Sequence, residues 1–549
     1  MNKALETILA YHQQTKHHFQ RYATGPDGLD WKNQPKAFRT FDGCTELKLP
    51  LLVQPTSTLY NDLYQAEHID SHDISLKSIA QLLELSVGLS AWKQYDDTRW
   101  ALRCNPSSGN LHPTESYIIT ENCEGIPDGV HHYVSRNHIL EKRCLFNHET
   151  ALLADNSFLI GLSSIHWREA WKYGERAFRY CQLDTGHAIS AVRYAAATLG
   201  WQAHILTSAS DADIETILGI DRDSDFAGAE REHPDVLLLI TTQSTKPFDR
   251  LLSLKKSISL KQIAKKANKG QWYGQANTLS EHHLDDWPVI TEAALACIKP
   301  ETDDPPWQAP VLPDPVLKSA SGKSASSIIK QRRSAQGFDG NSGITEEVLY
   351  RILDLTLPRQ TIPPWDAVSW KPGIHLLIFI HRVEGLEPGL YHFLRNNEIK
   401  NKFQASLKQD FEWLKPKECP EHLQFFRLAA GDARDAAKTL SCHQDIAGDG
   451  ALSFGMLAEY ESNLTKEPWV YRQLFWEAGI LGQVLYLEAE SAGFRGTGIG
   501  CFFDDAVHEL IGIKGNSFQS LYHFTLGTAL VDHRLQTLPP YAHLQRSNL

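Results

Sequence analysis

No Cys-x-x-Cys pair occurs anywhere in the chain, and its nine cysteines are scattered and odd in number. That excludes a disulfide framework or a zinc ribbon and predicts mostly buried free thiols in a reducing, cytoplasmic setting. Long apolar runs are missing as well. The longest, Val236–Ile240 and Leu376–Ile380, are strand-sized and predict no membrane span, and the first residues (MNKALETILAYHQQTKHH) carry no signal-type apolar stretch. Positive charge is in deficit: 54 Lys and Arg against 66 Asp and Glu leave a net charge of −12. This argues against nucleic acid or an anionic membrane as the main partner. There is no G-x-S-x-G elbow and no Walker loop. The His-His pairs at 17–18, 131–132 and 282–283 lack a Cys or Glu partner at metal spacing, so no metal site is expected. Cys442-His443 lies in a polar loop and is read as carrying no thiol chemistry.

What is present is a duplicated chain. Apolar residues make up 42% and charged residues 22%, the balance of a soluble globular protein, and 549 residues predict two to four domains. Arg179, Gly186, Gly200 and Gly219 recur as Arg472, Gly479, Gly493 and Gly512, each pair 293 positions apart. Gly129-Val130-His131-His132-Tyr133 is echoed by Gly389-Leu390-Tyr391-His392-Phe393. Four coincidences at one offset predict two copies of one fold. Helices are expected over 4–22, 76–89, 149–200 and 345–356, and strands over 116–120, 131–134, 139–143, 236–240 and 374–380. Each copy mixes helices with a few strands, so the class is α+β. Between the copies lie a basic helical stretch (254–269), a segment at 290–298, and a run rich in proline from Pro300 to Pro315. The expected division is a first domain over 1–245, a linker with helical and Pro-rich segments over 246–318, and a second domain over 319–549.

The copies are unequal. The first holds Pro106-Ser107-Ser108-Gly109-Asn110, a loop suited to a flat polar ligand; the second has Trp365-Asp366-Ala367-Val368-Ser369 in that place. The second opens with Arg332-Arg333-Ser334-Ala335-Gln336, two guanidiniums and a hydroxyl fit for a phosphate, which the first lacks. The second also has the glycine loop Gly496-Thr497-Gly498-Ile499-Gly500-Cys501, where the first reads Gln202 to Leu206. If the copies pack as a pseudo-twofold pair with sites at their interface, one site receives every part and the other almost none. One working site per chain is the expectation.

With these motifs in place, the chain resembles a tandem member of the nitroreductase-like flavoprotein superfamily, most closely the SagB/ThcOx branch of azoline-peptide oxidases. The resemblance rests on Arg332 to Asp339, Pro106 to Glu115, Gly385 to Phe393 and Gly496 to Asp505. It implies one non-covalent FMN per chain in an intramolecular pseudo-dimer. Arg332, Arg333, Ser334 and Gln336 would hold the phosphate and ribityl end, with Arg534 as a second phosphate contact. Pro106, Ser107, Ser108 and Asn110 would hold the ring edge, and Gly498, Ile499, Gly500 and Cys501 would face the ring. Lys172 and Tyr173 match the branch's Lys-Tyr pair for proton transfer, which the second copy lacks. The implied partner is a small-molecule or peptide substrate. Two alternatives stand beside an azoline dehydrogenase: a nitro- or quinone reductase with NAD(P)H as donor, and a flavin- or peptide-binding scaffold without turnover.

Overall fold

A computed structural model describes residues 2–65, 69–147, 150–242, 248–303, 307–315 and 322–544. Both expected domain boundaries (245/246 and 318/319) and the linker's Asp304, Pro305 and Pro306 lie outside the described residues.

The two halves build the same sheet. In the first half the order is Ile139–Leu145, Gly129–Val134, Thr114–Thr120, Ser157–Ser164, His233–Thr241, Gln202–Ile205. In the second it is Gln424–Ala430, Gly389–Leu394, Ile374–Ile380, Leu452–Glu459, Phe518–Gly527, Arg495–Ile499. Every pairing along both paths is antiparallel. The first sheet gains Glu46–Lys48 and Gln271–Trp272 at its outer strand. Residues read as linker therefore complete the first sheet. The helices there are Phe248–Ser257, Leu260–Lys269 and Pro288–Ala296.

Four expectations are corrected. Residues 149–200 are not helical throughout: Ser157–Ser164 is the strand paired with both Thr114–Thr120 and His233–Thr241. It is buried along its whole length, so its sequence shows no alternation to mark it. The helix expected over 76–89 ends at Ser86, and a hairpin, Leu89–Tyr95 and Thr98–Arg103, stands between it and the Pro106 loop. The N-terminal helix ends at Gln14 rather than 22. The glycine run from Arg495 to Ile499 is an edge strand rather than a loop.

The halves meet through two long helices, Ala177–Ala197 and Val470–Ser491. At their crossing the repeat-related glycines touch. A Cβ on Gly479 would sit 2.1 Å from the Leu183 carbonyl oxygen and 2.9 Å from the Gly186 Cα, and one on Gly186 would sit 2.2 Å from the Trp476 carbonyl oxygen. Only glycine permits backbones this close. Reciprocal ion pairs flank the crossing. Arg179 donates to Asp504 (2.8 Å) and Arg472 to Asp211 (2.6 Å), and both residues of each pair are buried. Asp211 and Asp504 are also 293 positions apart, so the pairs are pseudo-twofold mates.

Each half also sends an arm across. His12, on helix Lys3–Gln14, meets Tyr471 and Gln519 of the second half at 3.3 and 3.2 Å. Strand Gln536–Leu538 pairs with Leu89–Tyr95 of the first half, and the Leu89 N–H donates to the Tyr541 hydroxyl at 2.9 Å. Among the described residues no helix is long and apolar enough to cross a membrane.

Candidate active site

One seam between the halves opens into a cavity of about 560 Å³, within the range that encloses small-molecule ligands. Its walls come from both halves, and it gathers Pro106, Ser107, Ser108, Asn110, Tyr173, Arg332, Arg333, Ser334, Gln336, Gly498, Ile499, Gly500 and Cys501.

The cationic end is built by the second half's opening helix, Ala325–Gln331. Its C-cap is Arg332, which leaves the helix in extended backbone and turns back toward the first half. The buried guanidinium donates to the carbonyls of Arg103 (3.1 Å) and Cys104 (3.3 Å) and lies 5.0 Å from the Tyr486 ring. Arg333 donates to the Ser90 carbonyl at 3.0 Å. No carboxylate forms an ion pair with either arginine among the described residues. Lys93 and Arg495 join them on the wall. Burial, then the neighbouring Arg332 charge, pulls the Arg333 guanidinium down to about 10; burial, then Arg333 and Arg495, lowers Lys93. These cations depress one another, and an anion bound among them would relieve that repulsion. Sequence reasoning missed Lys93 and Arg495, because they come from a hairpin and an edge strand that it did not see. Arg534 is not part of the seat: its exposed side chain pairs with Asp532 at 2.8 Å and does not line the cavity.

The opposite wall is the Pro106 loop. Gly109, Asn110 and His112 adopt φ of 57°, 59° and 52°, a left-handed path that glycine and asparagine tolerate best. The serine hydroxyls do not face outward as expected. Ser107 Oγ donates to Asp184 Oδ2 (2.6 Å), and Ser108 donates to Asp184 Oδ1 through its N–H and its Oγ (both 3.0 Å). The Asn110 amide is likewise turned inward, donating to the Ala101 carbonyl at 2.9 Å, with its Oδ1 3.0 Å from His112 Nε2. Burial raises the Asp184 carboxyl to about 7 against these hydrogen bonds. Asp184 also lines the cavity, and no motif marks it, because it sits mid-helix among ordinary helical residues.

Lys172 and Tyr173 end a short helix, His166–Tyr173, whose last turn lies over this loop. A Cβ on Gly109 would meet Tyr173 Oη at 2.6 Å and Lys172 Nζ at 3.1 Å, so the glycine is what lets the pair approach. Burial, then Glu169, raises the Tyr173 phenol well above its ordinary value, so it keeps its proton at neutral pH. Glu169, one turn earlier, is buried with neither carboxyl oxygen hydrogen-bonded among the described residues, and burial raises it too.

The glycine strand forms the third wall. The Gly498 N–H is taken by Tyr486 Oη (2.8 Å), which also bonds Ser334 Oγ (2.8 Å). The Gly500 carbonyl accepts from Tyr180 and Arg176, each at 3.1 Å, while the N–H groups of Gly500 and Cys501 have no partner among the described residues. A Cβ at Gly500 would lie 2.2 Å from the Tyr180 ring, and one at Gly498 would lie 1.8 Å from Tyr522 Oη.

Comparison with known proteins identifies the family. The model of the Nitroreductase family matches the chain twice, over residues 70–229 and 329–528. The chain belongs to the nitroreductase family. It is 27% identical over 161 residues to a protein of Methanocaldococcus jannaschii named a nitroreductase, covering 27% of this chain and 77% of that one. It is 30% identical over 130 residues to the trifolitoxin-processing protein TfxB of Rhizobium leguminosarum bv. trifolii, covering 21% of this chain and 35% of TfxB. A solved nitroreductase-type structure from Anabaena variabilis superposes with a TM-score of 0.67 at 22% identity, covering 95% of this chain and 99% of that one. The family is one of oxidoreductases, and the tandem α+β nitroreductase fold is that of the whole chain.

Proposed function

We propose that the chain is an FMN-dependent oxidoreductase with one flavin site per chain, set in the seam described above. The observation that carries this reading is the cation group of buried Arg332 and part-buried Arg333, Arg495 and Lys93, in which neither Arg332 nor Arg333 has a carboxylate ion pair among the described residues and which faces the Pro106 loop across one cavity. A phosphate monoester would complete that group, and the space between the Pro106 loop and the glycine strand would admit a flat ring. Bound there, FMN would supply two-electron hydride chemistry. Arg332 and Arg333 would hold the phosphate, and the Gly500 and Cys501 N–H groups would hold the ring. The Ser107 and Ser108 hydroxyls, committed to Asp184, would fix the loop rather than touch the ligand.

The Lys172–Tyr173 pair supports dehydrogenation of an azoline-type or peptide-derived substrate. Such a reaction needs groups that move a proton, and Lys172 Nζ and Tyr173 Oη both approach the Pro106 loop at Gly109. Similarity to part of TfxB agrees with a peptide-derived substrate. A nicotinamide-driven nitro- or quinone reductase needs no such pair. The deciding experiment is an absorbance spectrum of the purified chain with a flavin-to-chain ratio. One FMN per chain is expected; a colourless chain that takes up no FMN ends the reading.

A further inference from the structure

Cys501 lines the cavity, and its Sγ lies 2.7 Å from the Sγ of Cys442. Both are free, part-buried thiols, and 59 residues separate them. Two features hold them face to face. The Phe503 N–H donates to the Leu440 carbonyl (2.8 Å), and Gln444 Nε2 donates to the Cys501 carbonyl (3.2 Å), which ties the segment after the glycine strand to the turn after helix Arg434–Leu440. In that turn Cys442 and His443 both take positive φ, 54° and 58°. Consecutive left-handed residues with side chains cost free energy and cluster at functional sites. The other seven cysteines are arranged differently. Cys44, Cys104, Cys123, Cys144, Cys297 and Cys419 each direct Sγ at a backbone carbonyl, and Cys181 is fully buried within its helix.

We propose that Cys442 and Cys501 are a redox-active dithiol–disulfide pair on the cavity wall whose substrates are small-molecule disulfides. The flavin reading is not needed for this. Cys501, as thiolate, attacks one sulfur of the external disulfide. That S–S bond breaks, one thiolate leaves, and a mixed disulfide forms on Cys501. Cys442 then gives its proton to the departing thiolate and attacks the Cys501 sulfur, which releases the second half of the substrate. Two protein thiols are oxidised to one disulfide, and one external disulfide is reduced to two thiols. A free thiol in excess reverses both steps. Closure needs little motion, because a disulfide bond is about 2.05 Å long. The environment assigns the attacking sulfur. The contact with Cys442 Sγ, with His17 and Arg176 beside it, holds the Cys501 thiol well below its ordinary value. Burial pushes Cys44 and Cys144 up to about 12, and Cys104, Cys123 and Cys419 up to about 11. The partner of Cys442 lies far off in sequence, beyond the reach of the Cys442-His443 dipeptide.

The test equilibrates the reduced, full-length protein with mixtures of reduced and oxidised glutathione, traps remaining thiols with a maleimide, and maps peptides by mass. A Cys442–Cys501 linked peptide should form before any adduct on the other seven cysteines and should vanish when reduced glutathione is in excess. Cys442→Ser should stop at a glutathione adduct on Cys501, while Cys501→Ser should slow modification of Cys442 at least tenfold. On the unaltered protein, alkylation of Cys501 by iodoacetamide should be nearly flat between about pH 6 and pH 8, where an ordinary thiol gains roughly tenfold per pH unit. A Cys501 rate that climbs with pH like an ordinary thiol, or a pair left fully alkylatable in oxidised glutathione, overturns the proposal.

Discussion

Asp366 holds Arg193 through two hydrogen bonds of 2.7 Å, with both side chains buried. Asp366 stands where the first half has its Pro-Ser-Ser loop, and its carbonyl lies 3.0 Å from His204 Nδ1. The seam that would be the twin of the cavity is thus bridged by an ion pair made from both halves. Breaking a buried pair by removing one partner leaves an uncompensated charge and costs about 3–5 kcal/mol. Asp366→Ala should therefore lower the unfolding free energy from chemical denaturation by that much while flavin content stays at one per chain. A rise to two flavins per chain would show that the ion pair alone blocks a second site.

Arg332 and Arg333 should dominate affinity for the phosphate. A hydrogen bond to a charged group contributes about 1.5–3 kcal/mol. Arg333→Ala should weaken FMN binding roughly 10- to 100-fold, and the double alanine variant more. Riboflavin, which has no phosphate, should lose little on the same substitutions. Fluorescence titration of both ligands makes the comparison, and equal losses for the two would remove the arginines from the phosphate end.

Asp184 makes stability fall as pH rises. Its folded-state value, about 7, lies above the ordinary carboxylate value of 3.8, so the folded chain holds its proton more tightly than the unfolded one. The contribution is fully present below about pH 4 and lost as pH rises through about 7. The shift corresponds to on the order of 4 kcal/mol. Asp184→Asn should flatten the decline, and the variant should melt above the parent at pH 8. Parallel melting curves from pH 5 to pH 8 would place the carboxylate's proton elsewhere.

Lys172→Ala separates the two enzymatic readings. Loss of a positioned proton acceptor costs roughly 10²–10⁴-fold. Oxidation of a model azoline peptide should fall by that factor, whereas quinone reduction driven by NAD(P)H should stay within about tenfold. Tyr173→Phe should give a smaller loss in the first assay, since it removes the phenol hydroxyl and leaves Lys172 in place.

The sequence shows the duplication, the strand Ile374–Ile380 and most of the cavity wall, because each rests on local spacing or on residues with narrow conformational uses. It hides whatever depends on distant approach. Ser157–Ser164 is buried on both faces and reads as ambiguous. The hairpin Leu89–Arg103 turns at Asp96 with φ of 49° and carries no Asn-Gly or Asp-Gly mark. Asp184 belongs to the site only because the Pro106 loop folds back on it. The direction of the Ser107 and Ser108 hydroxyls follows from that same contact.

The strand Gln536–Leu538, which follows every other strand in the chain, is laid against a hairpin made from residues 89–103. During synthesis the front half therefore waits, its hairpin edge bare, for more than four hundred residues to emerge from the ribosome. The cationic wall, which joins Lys93 of that hairpin to Arg332, Arg333 and Arg495 of the rear half, cannot form until the rear half has been made.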